Sequence, residues 1–99
     1  MEIKIQSIHF DATEQLKAFA EKKTNKLEKA YEDIKNIELQ LKVVKPATAM
    51  NKEAALSVSV PGQTLYVEKV CDTFEESIDQ CVDAMKVQLT KFKEKQRNR

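Results

Sequence analysis

Residues 2–8 alternate in polarity, with Ile3 and Ile5 on one face and Glu2, Lys4 and Gln6 on the other. A period of two predicts a strand. Asp11 and Thr13 follow as helix-start residues, and Glu14 adds a carboxylate to the first turn. Leu16, Phe19, Ala20, Leu27, Ala30 and Tyr31 then recur at spacings of three and four, which predicts one buried helical face. Lys22, Lys26 and Lys29 line up on a separate stripe of the same helix. Lys23 falls inside the apolar arc, so its stem is expected along the core edge with the ammonium reaching out to water.

Residues 34–44 alternate again, with Ile37, Leu39, Leu41 and Val43 set against Glu38, Gln40 and Lys42. The stretch Pro46–Asn51 breaks the pattern and is expected to be a flexible loop. Residues 54–60 place Leu56, Val58 and Val60 against Ala55, Ser57 and Ser59. Pro61-Gly62, which uses the only glycine, is the strongest turn signal in the chain. Residues 64–70 form the second arm of the hairpin, with Leu65 and Val67 inward and Thr64, Tyr66 and Glu68 outward.

Thr73-Phe74-Glu75-Glu76 has the form of a capping box, in which Thr73 caps the turn and Glu76 reaches back to its amide. Beyond it, Phe74, Ile78, Cys81, Val82, Met85, Leu89 and Phe92 fall in one narrow arc of a helix. Lys86, Lys93 and Arg97 form a stripe on one flank of that arc, and Lys91 with Lys95 a stripe on the other. The tail Gln96–Arg99 is expected to fray.

The order β-α-β-β-β-α predicts an α+β fold. A right-handed crossover sets the first strand parallel to the second, and the last three strands form an antiparallel meander. Each strand has one apolar face, so both helices pack on the same side of a four-stranded sheet. The expected architecture is a two-layer sandwich with an open polar sheet face. Residues 1–99 make one domain, with no internal repeat.

Composition sharpens this picture through the charges. The chain holds 17 Lys+Arg and 16 Asp+Glu, a net charge of +1. Residues 17–29 carry five lysines and two acids, while residues 86–99 carry six basic residues and only Glu94. The rest is strongly acidic, so the chain is a charge dipole, and a polyanion responds to the local patch. The bland alternative is that late-helix lysines offset the macrodipole and keep the surface soluble. With no export signal, no spanning stretch and two cysteines, the expected setting is the cytoplasm.

Chemistry finds little support. His9 is the only histidine and closes the first strand without a recognisable Ser, Cys or second His partner nearby in sequence, so a strand-end surface histidine is expected rather than a triad. Cys71 and Cys81 are not a CxxC pair; Cys81 lies in the apolar seam and is expected to be a core residue, Cys71 a strand-end residue. A metal site would have to recruit His9 and distant acids. One glycine cannot build a phosphate-binding loop. Asp79 and Asp83, one turn apart, are expected on a solvated face. No enzyme, cofactor, metal, membrane or small-molecule substrate is indicated.

Nucleic acid remains. The open sheet face offers Tyr66 as its one aromatic, among Glu38, Gln40 and Glu68, which disfavours base stacking there. If the helices lie side by side, the Lys22/Lys26/Lys29 stripe and one stripe of the second helix flank a basic groove that senses phosphate geometry. Double-stranded RNA-binding modules share this sheet-plus-two-helices plan, as fold analogy. A general double-stranded RNA binder and a small protein-interaction module, its lysines merely solubilising, stand as alternatives.

Thr13-Glu14-x-Leu16-Lys17-x-Phe19 and Glu21-Lys22-Lys23-x-x-Lys26-Leu27-Glu28-Lys29 resemble the first helix of the ribosome hibernation promoting factors. This family is also called the ribosome-associated translation inhibitors or ribosomal subunit interface proteins. Ile78-Asp79 and Gln88-Leu89-x-Lys91-x-Lys93-x-Lys95 resemble its closing helix, and Val43-Val44-Lys45 is compatible with its second strand. The resemblance implies a short form without the ribosome-dimerising C-terminal domain, monomeric when free. It implies a non-enzymatic stress factor on the small subunit of the 70S ribosome, in the mRNA channel over the A- and P-site tRNA positions. The expected contacts to 16S-type rRNA are Lys22, Lys23, Lys26, Lys29, Lys86, Lys91, Lys93 and Lys95, with Lys45 and Lys52 as weaker candidates.

Overall fold

The alternating stretches become four strands of one sheet. The computed structural model describes residues 2–8, 10–44 and 50–97. It holds β1 (Glu2–Ile8), α1 (Glu14–Asn25), α2 (Leu27–Ala30), β2 (Asn36–Val43), β3 (Lys52–Val60), β4 (Gln63–Cys71) and α3 (Phe74–Arg97). The sheet order is β1-β2-β3-β4. β1 pairs parallel with β2, and β2, β3 and β4 pair antiparallel. With α1 and α2 as successive pieces of the first helix, the α+β sandwich expected from periodicity is the fold observed.

Register carries the core across the sheet. Ile5, Leu39, Leu56 and Val67 are cross-strand partners in one row, and Leu39 and Leu56 are fully buried. The next row is Ile3, Ile37, Val58 and Leu65. α3 covers β3 and β4, α1 lies against β1, and the two helices touch each other. All seven residues of the α3 seam, from Phe74 to Phe92, are buried.

Local signals set the boundaries. The Thr13 hydroxyl accepts the Leu16 N–H at 3.1 Å and starts α1. Of the two reciprocal bonds of the expected capping box, the one from the Glu76 N–H to Thr73 Oγ1 forms, at 3.1 Å. Gly62 has φ +88°, as the third residue of a type II turn requires after proline.

Three features depart from the sequence pattern. The first helix is interrupted at Lys26, whose N–H turns back to the Lys23 carbonyl at 3.3 Å. Thr24 is fully buried one turn short of the seam's end, and its hydroxyl donates to the Ala20 carbonyl at 2.8 Å. Such back-bonding competes with the backbone ladder and bends helices. Val43, expected inward, is 41% exposed as the last residue of β2. α3 continues to Arg97, two residues into the segment expected to fray. His9, Lys45 and most of the expected loop Pro46–Asn51 lie outside the described residues.

The direction of the two helices matters most for function. Ile8 pairs with Lys42, Val43 with Lys52 and Lys52 with Cys71, so β1 and β4 finish at the same end of the sheet. Both helices therefore leave from that end and run back side by side, in parallel. Three contacts follow in matching order along both chains. Phe10 stacks on Phe74 (4.7 Å between centroids, 9° between planes), Lys23 pairs with Asp79 (2.8 Å), and Tyr31 meets Phe92 edge-on (5.3 Å, 76°).

Cys81 sits in the core as expected, fully buried, with its thiol on the Ala54 carbonyl at 3.2 Å. Burial pushes its pKa up from 9.0 to about 12. The unfolded thiol ionises first, so the stability this group contributes below pH 9 is lost as pH rises toward 12. Urea unfolding across that window is expected to show a steeper alkaline decline for the native chain than for Cys81→Ala. Parallel declines would contradict this assignment.

Candidate nucleic-acid interface

Parallel packing sorts the charges by end. The acidic first turns, Glu14 in α1 and Glu75 and Glu76 in α3, share the end where both helices begin. The lysines gather toward the other end. Asp79, Lys86 and Lys93 recur every seven residues, about two helical turns, and so share one flank of α3. Because Asp79 reaches Lys23, that flank is the one turned toward α1.

The opposing wall follows from the same pair. Lys23 lies at one margin of the buried arc of α1, while Ala20 and Thr24 are fully buried toward the other margin. On α1, Lys22 and Lys26 continue round from the Lys23 margin, the side that meets α3, whereas Lys29 follows the interruption at Lys26, in α2, and lines a surface pocket with Asn25, Glu28 and Glu32. Lys22, Lys26, Lys29 and Lys93 are exposed and Lys86 is half-buried. The surface expected between the helices therefore draws on Lys22 and Lys26 from α1 and on Lys86 and Lys93 from α3, without Lys29. Lys86 lies in mid-helix, so offsetting the α3 macrodipole does not account for it.

Not every expected contact joins that groove. The Lys23 ammonium is held by Asp79 and sits 5.5 Å from the Phe19 ring centroid, while its stem follows the core edge as expected. Lys91 and Lys95 lie on the opposite flank of α3, facing the start of β4. Lys52 opens β3 at the far end of the domain. Its carbonyl accepts the Ser77 hydroxyl, one turn into α3, and its ammonium donates to Asn51 Oδ1 at 2.6 Å. Lys45 lies outside the described residues.

Ion pairing separates available lysines from committed ones. Among the described residues the pairs are Lys17–Glu14, Lys23–Asp79 and Lys42–Glu53. None of Lys22, Lys26, Lys29, Lys86, Lys91, Lys93 and Lys95 is in one, so each keeps its charge for an incoming anion. The open sheet face is occupied differently. Gln40 donates to Gln6 at 3.3 Å, and the Tyr66 hydroxyl donates to Glu68 at 2.8 Å, which raises the Tyr66 pKa. An aromatic tied to a carboxylate is a poor seat for a phosphate-bearing strand.

Sequence reasoning missed the tie between Lys23 and Asp79, because nothing local links residues so far apart in the chain. It also missed the interruption at Lys26, for which the buried Thr24 on an otherwise apolar arc is the only signal. Among the described residues, no group of three His, Cys, Asp or Glu is placed to hold a metal ion, and no helix is long and apolar enough to cross a membrane.

Residues 3–97 match the family described as sigma 54 modulation protein / S30EA ribosomal protein. Two solved structures share the fold. One is a ribosomal subunit interface protein from Coxiella burnetii, with a TM-score of 0.83 and 24% identity over 94% of this chain and 98% of that one. The other is the N-terminal domain of Protein Y from Thermus thermophilus, with a TM-score of 0.79 and 24% identity over 93% and 99%. No curated protein matches the chain.

Proposed function

The chain belongs to the sigma 54 modulation protein / S30EA ribosomal protein family, and on that premise we propose that it is a ribosome-associated factor whose inter-helical lysine groove docks on ribosomal RNA. The observation that carries this reading is the parallel packing of the two helices, each of which carries lysines that enter no ion pair among the described residues. One of the structures that share its fold is described as a ribosomal subunit interface protein. The groove presents ammonium groups without stacking aromatics, so it takes phosphates by position and shape rather than by base sequence.

The binding place is the small subunit, in the mRNA channel over the A- and P-site positions, where a bound protein blocks translation under stress. Oriented docking follows from the charge layout. The basic end approaches the polyanion, and the acidic end, with Glu14, Glu75 and Glu76, is repelled from it.

Co-sedimentation with small subunits through a salt series tests the proposal. If the four lysines Lys22, Lys26, Lys86 and Lys93 each displace one counterion, affinity falls on the order of a hundredfold between about 50 and 200 mM salt. Equal affinity for arbitrary RNA duplexes would point to a general double-stranded RNA binder. A concentration-dependent dimer without ribosome association would point to a protein-interaction module.

Asp79 supplies a further check. Asp79→Asn removes a carboxylate from the lysine row and releases Lys23, so subunit affinity at low salt is expected to rise several-fold. The pair is partly exposed, its side chains 26% and 52% accessible, so stability should change by less than about 1 kcal/mol. Unchanged affinity in filter binding would contradict the placement of this row in the interface.

A further inference from the structure

β4 is the last strand of the sheet, and among the described residues no strand pairs with its outer side. Val60 and Gln63 flank the two-residue turn Pro61-Gly62, and the pair that closes such a hairpin is hydrogen-bonded. Alternation from Gln63 turns the backbone groups of every second residue toward β3. The N–H and C=O groups of Thr64, Tyr66, Glu68 and Val70 point the other way, out of the sheet edge. The Gln88 carboxamide donates to the Tyr66 carbonyl at 3.3 Å. That bond satisfies one acceptor of the row and leaves the rest of the edge open to a further strand.

The side chains beside the edge decide which strand fits. Three lysines stand on its helical side. Lys69 alternates with the buried Val67 and Cys71 and so shares their face, half-buried itself. Lys91 and Lys95 line the groove between α3 and the start of β4, in which no carboxylate takes part. None of the three is in an ion pair among the described residues. Lys91 and Lys95 lie about 6 Å apart along the helix axis, close to the roughly 6.6 Å between alternate residues of a strand. Acids at alternate positions of an added strand therefore meet both. The other face of the edge exposes Thr64, Tyr66 and Glu68, and Glu68 repels acids at the intervening positions. A second copy of this chain is a poor occupant. Antiparallel pairing of β4 with itself over its whole length sets each Lys69 opposite Leu65 of the other copy, next to Lys91, and like charges meet. We propose that the β4 edge binds an extended acidic segment of a partner protein by strand addition. Its Asp or Glu residues face Lys69, Lys91 and Lys95, and uncharged residues alternate with them. These are not the lysines of the inter-helical surface, so peptide binding and ribosome docking can fail separately.

The test titrates the full chain with a labelled peptide, Thr-Glu-Val-Glu-Thr-Glu-Val, and follows fluorescence anisotropy and backbone amide hydrogen exchange. Saturable binding is expected, with slowed exchange at the Tyr66 and Glu68 amides, which a charge contact alone does not protect. Lys69→Gln with Lys91→Gln weakens binding roughly tenfold. The charge-matched pair Lys4→Gln with Lys17→Gln, on exposed positions of β1 and α1, leaves it within about twofold of the native chain, since neither lysine borders the edge. An isomeric peptide with its three glutamates adjacent binds more weakly, because its acids cannot all face α3. Equal binding of that isomer or of a single-stranded RNA hexamer, with no slowing at Tyr66 and Glu68, would overturn the proposal by reducing the edge to a patch for any anion. An equal loss in the two double variants would overturn it as well, as would the absence of saturable binding.

Discussion

Reversing four groove lysines together, Lys22→Glu, Lys26→Glu, Lys86→Glu and Lys93→Glu, is expected to abolish co-sedimentation with small subunits and to leave the circular dichroism spectrum intact. The first expectation follows from charge. Each reversal removes an ammonium group that pairs with no carboxylate among the described residues and puts an anion in its place. Four lost phosphate contacts alone cost roughly a hundredfold or more in affinity near physiological salt, and repulsion from the new carboxylates adds to that. The second expectation follows from burial. Lys22, Lys26 and Lys93 are exposed and Lys86 half-buried, so the core is untouched and surface charge changes away from special features cost little. The pair Lys91→Glu with Lys95→Glu, on the other flank of α3, should weaken docking much less. If the fourfold variant still travels with subunits, the inter-helical groove is not the interface.

Leu56→Ala is expected to be the most destabilising single truncation. Leu56 is fully buried in β3, flanked in its row by Leu39 on one side and Val67 on the other, beneath α3. Its neighbours belong to paired strands and a packed helix, so they cannot collapse far into the space left behind. Removing a buried leucine side chain costs about 2–5 kcal/mol, against a total stability on the order of 5–15 kcal/mol for a domain of this size. A fall in Tm of roughly 10 °C or more follows, since about 1 kcal/mol shifts Tm by several degrees in a 100-residue domain. Calorimetry checks it; a change under about 3 °C would contradict the central place given to this row.

Much of the fold is legible before any coordinates. Period-two alternation locates all four strands, because each has one face on the core and one in water. Pro61-Gly62 specifies the hairpin, and Thr13 and Thr73 start the helices. The lysine stripes are legible too, although their partition is not. Which stripe of α3 faces α1 depends on helix direction and crossing, which are tertiary facts. Lys23 shows the gap clearly: its position in the apolar arc is visible in the sequence, while its loss to Asp79 becomes visible only when α3 is laid beside α1. The interruption at Lys26 escapes a periodicity argument for a related reason. Thr24 is compatible with a helix, and its hydroxyl turns to the backbone only because burial leaves it no water. Val43 fails in the opposite sense, since it keeps the inward pattern but is the last residue of β2 and stays exposed.

The net charge of +1 would by itself argue against a polyanionic partner. In the folded chain it is the sum of two poles along the same axis, produced by two parallel helices that each begin acidic and end basic.

A photocrosslinker attached at Lys26, in the inter-helical groove, or at Thr64, on the open sheet face, tests the central claim most directly when each labelled protein is bound to small subunits. Adducts with ribosomal RNA from position 26 and few from position 64 are the predicted result. RNA adducts from position 64 with none from position 26 would contradict it.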